Sequence, residues 1–184
     1  TVAEYLAKHY RARLILTGAT PLPPPGERDH WQQTHDRQDP VSRKIARIKQ
    51  MEAEGGKVLV YAADVGEREA MEKVVREGEK IFGPINGVIH AAGVTKGKSV
   101  LCPIAELDET HWNRQFHPKI RGTRVLGEIF KEKVLDFCIL TSSLSPILGG
   151  LGFAAYSAAN AYMDAYAQAA GRSGQGRVRW LSVN

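Results

Sequence analysis

Short runs at residues 13–17 (RLILT), 57–62, 85–90, 135–141 (LDFCILT) and 178–184 are rich in β-formers and apolar almost without interruption, and stretches of helical period separate them. A strand that is apolar on both faces needs cover on both faces, and alternation with helices supplies it. The pattern predicts an α/β fold, a parallel sheet with helices on both sides. The helices are expected at 2–10, 42–54, 67–82, 108–131 and 152–170. Val2, Ala3, Leu6 and Ala7 point inward from the first, Ile45, Ile48 and Met51 from the second, and Met71, Val74, Val75 and Ile81 from the third. Residues 21–39, which carry prolines, read as a loop unusually long for a compact domain. No repeat or linker divides the chain.

Composition narrows the class. The 184 residues are 43% hydrophobic and 24% charged, which excludes disorder and a collagen-like fibre and fits one soluble globular domain. Two cysteines, Cys102 and Cys138, are too few for a disulfide scaffold and lack metal-ligand spacing. With no segment like a signal peptide, a reducing cytoplasmic setting is expected. No apolar run reaches the roughly 18 residues of a membrane helix, and the densest, 134–140, contains Asp136. The net charge of +5 is small and scattered, a weak pull on anions rather than a nucleic-acid footprint.

Parallel sheets of this kind bind ligands beyond the carboxyl ends of their strands. Those positions are Thr17-Gly18-Ala19, Ala62-Ala63-Asp64-Val65, His90-Ala91-Ala92-Gly93-Val94 and Thr141-Ser142-Ser143. Small residues there either let helices pack closely or let a flat ligand lie on the backbone; the set as a whole favours the ligand. After Thr141 comes a stretch, TSSLSPILGGLGFAAYSAANAYMD, in which a strand delivers Ser143, a Gly-rich loop follows, and a helix carries Tyr156 and Asn160 four residues apart on one face. Taken singly, Ser143 is a turn or capping residue, Tyr156 a half-buried aromatic and Asn160 a satisfied polar group. Their spacing joins them.

That spacing resembles the short-chain dehydrogenase/reductases, and within them the ketoreductase domains of modular type I polyketide synthases. In those domains a Ser stands thirteen residues before a Tyr and an Asn four after it, as Ser143, Tyr156 and Asn160 do. The segment HPKIRGTRVLGEIF resembles the ketoreductase helix whose Lys lies 24 residues before that Ser, here Lys119. Most of the superfamily instead places Lys four residues after the Tyr, so Asn160 with an upstream Lys119 marks the ketoreductase branch. His90-Ala91-Ala92-Gly93 resembles the segment after the family's fourth strand, and Ala63-Asp64-Val65 the segment that contacts adenine. The resemblance covers residues 1–184 as one ketoreductase catalytic domain with a Rossmann-like doubly wound sheet.

It implies NADPH-dependent reduction of a β-ketoacyl group, carried on the phosphopantetheine arm of an acyl carrier protein, to the β-hydroxyacyl product, beside neighbouring synthase domains. A tyrosine hydroxyl, of ordinary pKa about 10, serves as acid and base when a nearby cation favours its phenolate. The implied roles follow. Tyr156 donates the proton, Ser143 binds the substrate carbonyl, Lys119 tunes Tyr156 and contacts the nicotinamide ribose, and Asn160 holds the relay. Asp64, Val65, Ala91, Ala92, Gly93 and Thr141, with Lys119 and Tyr156, complete the cofactor-binding set.

The chain also departs from the family pattern. The Arg that pairs with the 2′-phosphate of NADPH is replaced by Ala19, leaving Arg43 or Lys44 as substitute cations. Thr95-Lys96-Gly97 and Leu148 stand where the family's stereochemical markers would be. The family's first strand and its Gly-rich phosphate loop precede the position of Thr1, and a lid and last strand follow that of Asn184, so a fragment truncated at both ends is expected. Without that strand, the runs at 13–17 and 85–90 have no direct pairing.

Alternative readings carry less. A catalytically inactive, structural ketoreductase-like subdomain has no reason to keep Lys119, Ser143, Tyr156 and Asn160 in register. The basic residues Arg43, Lys44, Arg47 and Lys49 alternate with apolar ones and read as a solvated helix face, not a nucleic-acid surface. His30, His35, Asp36 and Asp39 lie in a proline-bearing loop without ligand spacing, so no metal is expected.

Overall fold

Thr1 opens the first helix with a reciprocal cap. Its hydroxyl accepts from the Glu4 amide at 3.3 Å while the Glu4 carboxylate reaches back to the Thr1 backbone nitrogen, and α1 (Val2–Tyr10) ends on Arg11 in the left-handed region at φ 49°. The structure, a computed structural model, describes residues 1–97, 100–172 and 178–184. It divides into two compact units, Thr1–Ala63 with Lys80–Phe82, and Asp64–Glu79 with Gly83–Asn184.

In the first unit β1 (Arg13–Gly18) and β2 (Lys57–Ala62) pair in parallel, Arg13 opposite Lys57 through Gly18 opposite Ala62. Between them residues 21–39 are not the featureless loop that the prolines predict: a 3₁₀ turn at Pro25–Glu27 leads into α2 (Arg28–Thr34). The physical reason lies in Trp31, which stacks on His35 at 3.8 Å and donates its indole N–H to Asp39 at 3.3 Å. Asp39 also caps α3 (Pro40–Ala53), accepting from the Ser42 amide at 2.8 Å. Helix α3 turns Ile45, Ile48 and Met51 inward as its periodicity predicts, and Ile48 and Met51 close over Ala7, Leu14, Leu16, Val58 and Val60. Val2, expected inward, is exposed, because α1 buries only the side around Ala7.

Helix α4 (Arg68–Phe82) buries Met71, Val74 and Val75. Ile81, expected on the same stripe, is exposed, at the C-terminal end of the helix one residue before Phe82. In the second unit β3 (Gly87–His90), β4 (Leu135–Thr141) and β5 (Val178–Val183) form a parallel sheet in that order, with His90 opposite Leu140 and Thr141 opposite Val183. The α/β architecture is thus present, with its described strands in two parallel sheets, and β1 and β3 belong to different ones.

The helix expected at 108–131 is broken. Asp108 caps α5 (Glu109–Phe116), a π-helical turn takes over at His117–Arg121, and α6 (Gly122–Phe130) resumes. Pro118 supplies the cause, since it has no N–H to give and its ring crowds the carbonyl four residues back, so the turn widens by one residue. After β4 a single turn, α7 (Ser145–Leu148), ends in glycines of positive φ (Gly149 70°, Gly150 152°, Gly152 79°), and α8 runs from Ala154 to Arg172 rather than 152–170. Phe130, Leu140, Met163 and Cys138 are fully buried in this unit, the larger side chains each contributing about 1.5–3 kcal/mol. Burial pushes the Cys138 thiol up to about 12, which leaves it an unreactive core group. Among the described residues, no helix is long and apolar enough to cross a membrane.

Candidate active site

The π-turn turns Lys119 into the second unit. Its side chain is buried, and Nζ donates to the carbonyl oxygen of Thr141 at the end of β4 (3.1 Å) and lies 3.7 Å from Met163 Sδ on α8. The same ammonium stands 5.9 Å from the centre of the Tyr156 ring. Burial lowers the Lys119 pKa, against which the Asp164 carboxylate pulls it up. Asp164 is held by the Ser182 hydroxyl of β5. The structure thus sets a buried cation beside the ring of Tyr156.

Asn160 sits one turn beyond Tyr156 on α8, fully buried, and its side-chain amide donates to the Tyr156 carbonyl at 2.8 Å. Its Oδ1 has no partner among the described residues, an unused acceptor inside the site. The Ser142 hydroxyl donates to the Asn160 carbonyl (3.3 Å), which fastens the end of β4 to α8. Ser143 is half-buried, and its hydroxyl oxygen accepts the Ser145 amide at 3.1 Å, a local turn that fixes its rotamer and leaves its own O–H to donate elsewhere. Ser157 donates to the Ser145 carbonyl at 3.4 Å, so α7 is tied to the turn of α8 that carries Tyr156.

The remaining positions fall around this core. Ala91, Ala92 and Gly93 leave the end of β3 exposed, and a Cβ added at Gly93 would lie 2.9 Å from Lys119 Cε; the missing side chain leaves backbone open directly over the lysine. Asp64 accepts from the Gly66 amide at 2.8 Å and from His117 Nε2 at 3.0 Å, and Val65 is buried against Gly122. Lys119, Thr141, Gly93, Tyr156 and Asn160 therefore come together, Ser143 borders them, and Asp64 and Val65 stand on the other flank of the π-turn. In the first unit Ala19 follows β1 and is exposed, and Arg43 and Lys44 are exposed on α3.

Some participants were not legible as such. His90 is buried, with its Nε2 unpartnered among the described residues, and its pKa is lowered to about 4, first by burial and then by the Lys119 charge, against hydrogen bonding to the Pro118 and Lys119 backbone. It is a neutral prop beneath the π-turn. His117, Met163 and Asp164 likewise emerge only in three dimensions; the Pro118 inside an otherwise helical pattern was the one sequence signal that the segment had unusual backbone.

Comparison with known proteins identifies the family. The family model described as KR domain matches residues 1–181. The chain belongs to the KR domain family. The KR chain is 38% identical over 176 residues to a phenolphthiocerol/phthiocerol polyketide synthase polypeptide of Mycobacterium tuberculosis, covering 94% of this chain and 9% of that protein. It is 34% identical over 185 residues to the 6-methylsalicylic acid synthase of Aspergillus terreus, covering 98% of this chain and 10% of that one. The KR chain thus spans about a tenth of the length of these relatives. Among solved structures, a ketoreductase domain from the bacillaene assembly line superposes with a TM-score of 0.81 at 27% identity, covering 100% of this chain and 40% of its own. An N-terminal ketoreductase from the macrolactin assembly line gives 0.79 at 29%, covering 100% and 33%. The KR chain therefore has the Rossmann-like ketoreductase fold of polyketide synthases.

Proposed function

We propose that the chain is one ketoreductase catalytic domain that reduces a β-ketoacyl group, held on the phosphopantetheine of an acyl carrier protein, to the β-hydroxyacyl product with NADPH. The observation that carries this reading is the buried Lys119 ammonium 5.9 Å from the Tyr156 ring, in a chain of the KR family. The residues suit the cofactor. Gly93 leaves a cradle over Lys119 that a Cβ would fill, Lys119 keeps an ammonium hydrogen beyond those given to Thr141 and Met163, and Asp64 offers a fixed carboxylate edge for an amino group. Bound NADPH would supply the hydride.

The protein's part is to hold the ketone and provide the proton. Ser143 donates its hydroxyl hydrogen to the substrate carbonyl, and Tyr156 gives its phenolic proton to the oxygen as negative charge develops there. Lys119 stabilises the phenolate left behind, and Asn160, with a free Oδ1, orients the donors that return the proton. Ala19 in place of a guanidinium supports a weaker grip on the 2′-phosphate than the family's arginine gives. Similarity to polyketide synthases supports neighbouring synthase domains.

The test is NADPH oxidation by the intact protein with a β-ketoacyl thioester surrogate. Tyr156→Phe should cut turnover by about 10²-fold or more, the scale of a lost general acid, with unchanged circular dichroism. Near-native turnover in that variant would sink the assignment. A native protein that neither turns over nor binds NADPH would be a structural subdomain instead.

A further inference from the structure

His117 belongs to the same π-turn as Lys119, two residues before it, yet its side chain faces the other way, toward the segment at Asp64. Its Nε2 donates to Asp64 Oδ1 at 3.0 Å, the same carboxylate oxygen that accepts the Gly66 amide at 2.8 Å. The imidazole lies directly on Gly66. A Cβ built there would fall 2.5 Å from Nε2 and 2.7 Å from Cε1, so the contact exists only because residue 66 has no side chain. One residue earlier Val65 rests on Gly122, where a Cβ would come within 2.8 Å of Val65 Cγ1. The segment Asp64, Val65, Gly66 is thus docked on both ends of the turn that presents Lys119, and the polar half of that docking is His117.

A carboxylate has two oxygens, and here one is saturated by His117 and the Gly66 amide while no hydrogen bond reaches the other among the described residues. A side chain fixed through one oxygen presents the second in a set direction, which saves the rotamer entropy otherwise lost on binding. We propose that His117 is a positioning residue for the adenine end of the cofactor: it locks the Asp64 carboxylate so that its free oxygen meets an amino group of the bound nucleotide. The inference rests on the reading of Asp64 as an adenine contact. His117 itself touches no reacting atom, so its loss acts on binding and leaves chemistry alone.

The measurement is calorimetric binding of adenosine 2′,5′-bisphosphate, the adenine half of the cofactor, to the intact protein, with NADPH turnover alongside. His117→Phe keeps the ring volume over Gly66 and removes the donor; it should raise the Kd for the bisphosphate and the KM for NADPH about tenfold, with kcat at saturating NADPH within twofold of native. His117→Gln keeps an N–H at similar reach and should restore most of the affinity. Gly66→Ala, which displaces the ring while keeping the residue 66 amide that Asp64 also accepts, should weaken binding as His117→Phe does. Native affinity in His117→Phe overturns the proposal while Asp64 stands, and a fall in kcat with KM unchanged overturns it in favour of a role through Lys119. If Asp64→Asn also binds the bisphosphate as native does, the underlying assignment of Asp64 falls, and the proposal with it.

Discussion

Lys119 is a residue whose effects on folding and on chemistry point in opposite directions. Burial lowers its pKa, which means that the folded state holds the ammonium less willingly than water does. What it gives back is the bond to the Thr141 carbonyl and proximity to Tyr156. Lys119→Met keeps the length of the chain and deletes the charge. Stability should stay within about 1 kcal/mol of native or rise, because the desolvation penalty goes with the charge and only one carbonyl loses its donor. Reduction should fall by about 10²-fold or more, because nothing then stabilises a phenolate at Tyr156. Denaturation midpoints measured beside kcat separate the two, and a variant that lost several kcal/mol would show the lysine to be structural.

The strands and most helices were legible because burial on both faces leaves a plain signature: Leu135, Cys138 and Leu140 of β4 are all buried, and Ile45, Ile48 and Met51 keep helical spacing. What periodicity could not show was where an element breaks or begins for a local reason. The turn at Pro118 and the helix α2, built by one indole and one carboxylate, are cases of that kind. In the site, Ser143, Tyr156 and Asn160 could be picked out by spacing along one chain segment, whereas His90, His117 and Asp164 reach Lys119 or Asp64 only after the sheet is assembled. Close approach between strands is equally silent in the sequence. Gly87 of β3 stands opposite Phe137 of β4, and a Cβ added to it would lie 2.3 Å from the Phe137 ring. Gly87→Ala should therefore destabilise by about 1–3 kcal/mol through overpacking. Gly171→Ala in α8, with nothing within 4 Å, should be neutral or raise stability by up to about 1 kcal/mol. Equal unfolding midpoints for the two variants would contradict the register of β3 on β4.

Resistance to acid belongs to the whole molecule, because it depends on every group that binds protons differently before and after unfolding. Most carboxylates here are exposed, paired at the surface or capping helices, and contribute little each. His90 differs. It is buried at the end of β3 beneath the turn that carries Lys119, and burial, then that ammonium, lowers its pKa from 6.5 to about 4. The unfolded chain therefore binds a proton at this residue between pH 6.5 and 4 that the folded chain refuses, so the stability gained from the neutral imidazole is complete above pH 6.5 and drains away as the pH falls toward 4. A difference of that size corresponds to roughly 3 kcal/mol. Urea unfolding followed at pH 7.5, 6, 5 and 4 should show the loss beginning below pH 6.5, and His90→Gln, which cannot take up the proton, should show a fall smaller by about that amount. Parallel slopes for the two proteins would mean that His90 titrates alike in both states, and the buried neutral imidazole under Lys119 would have to be abandoned.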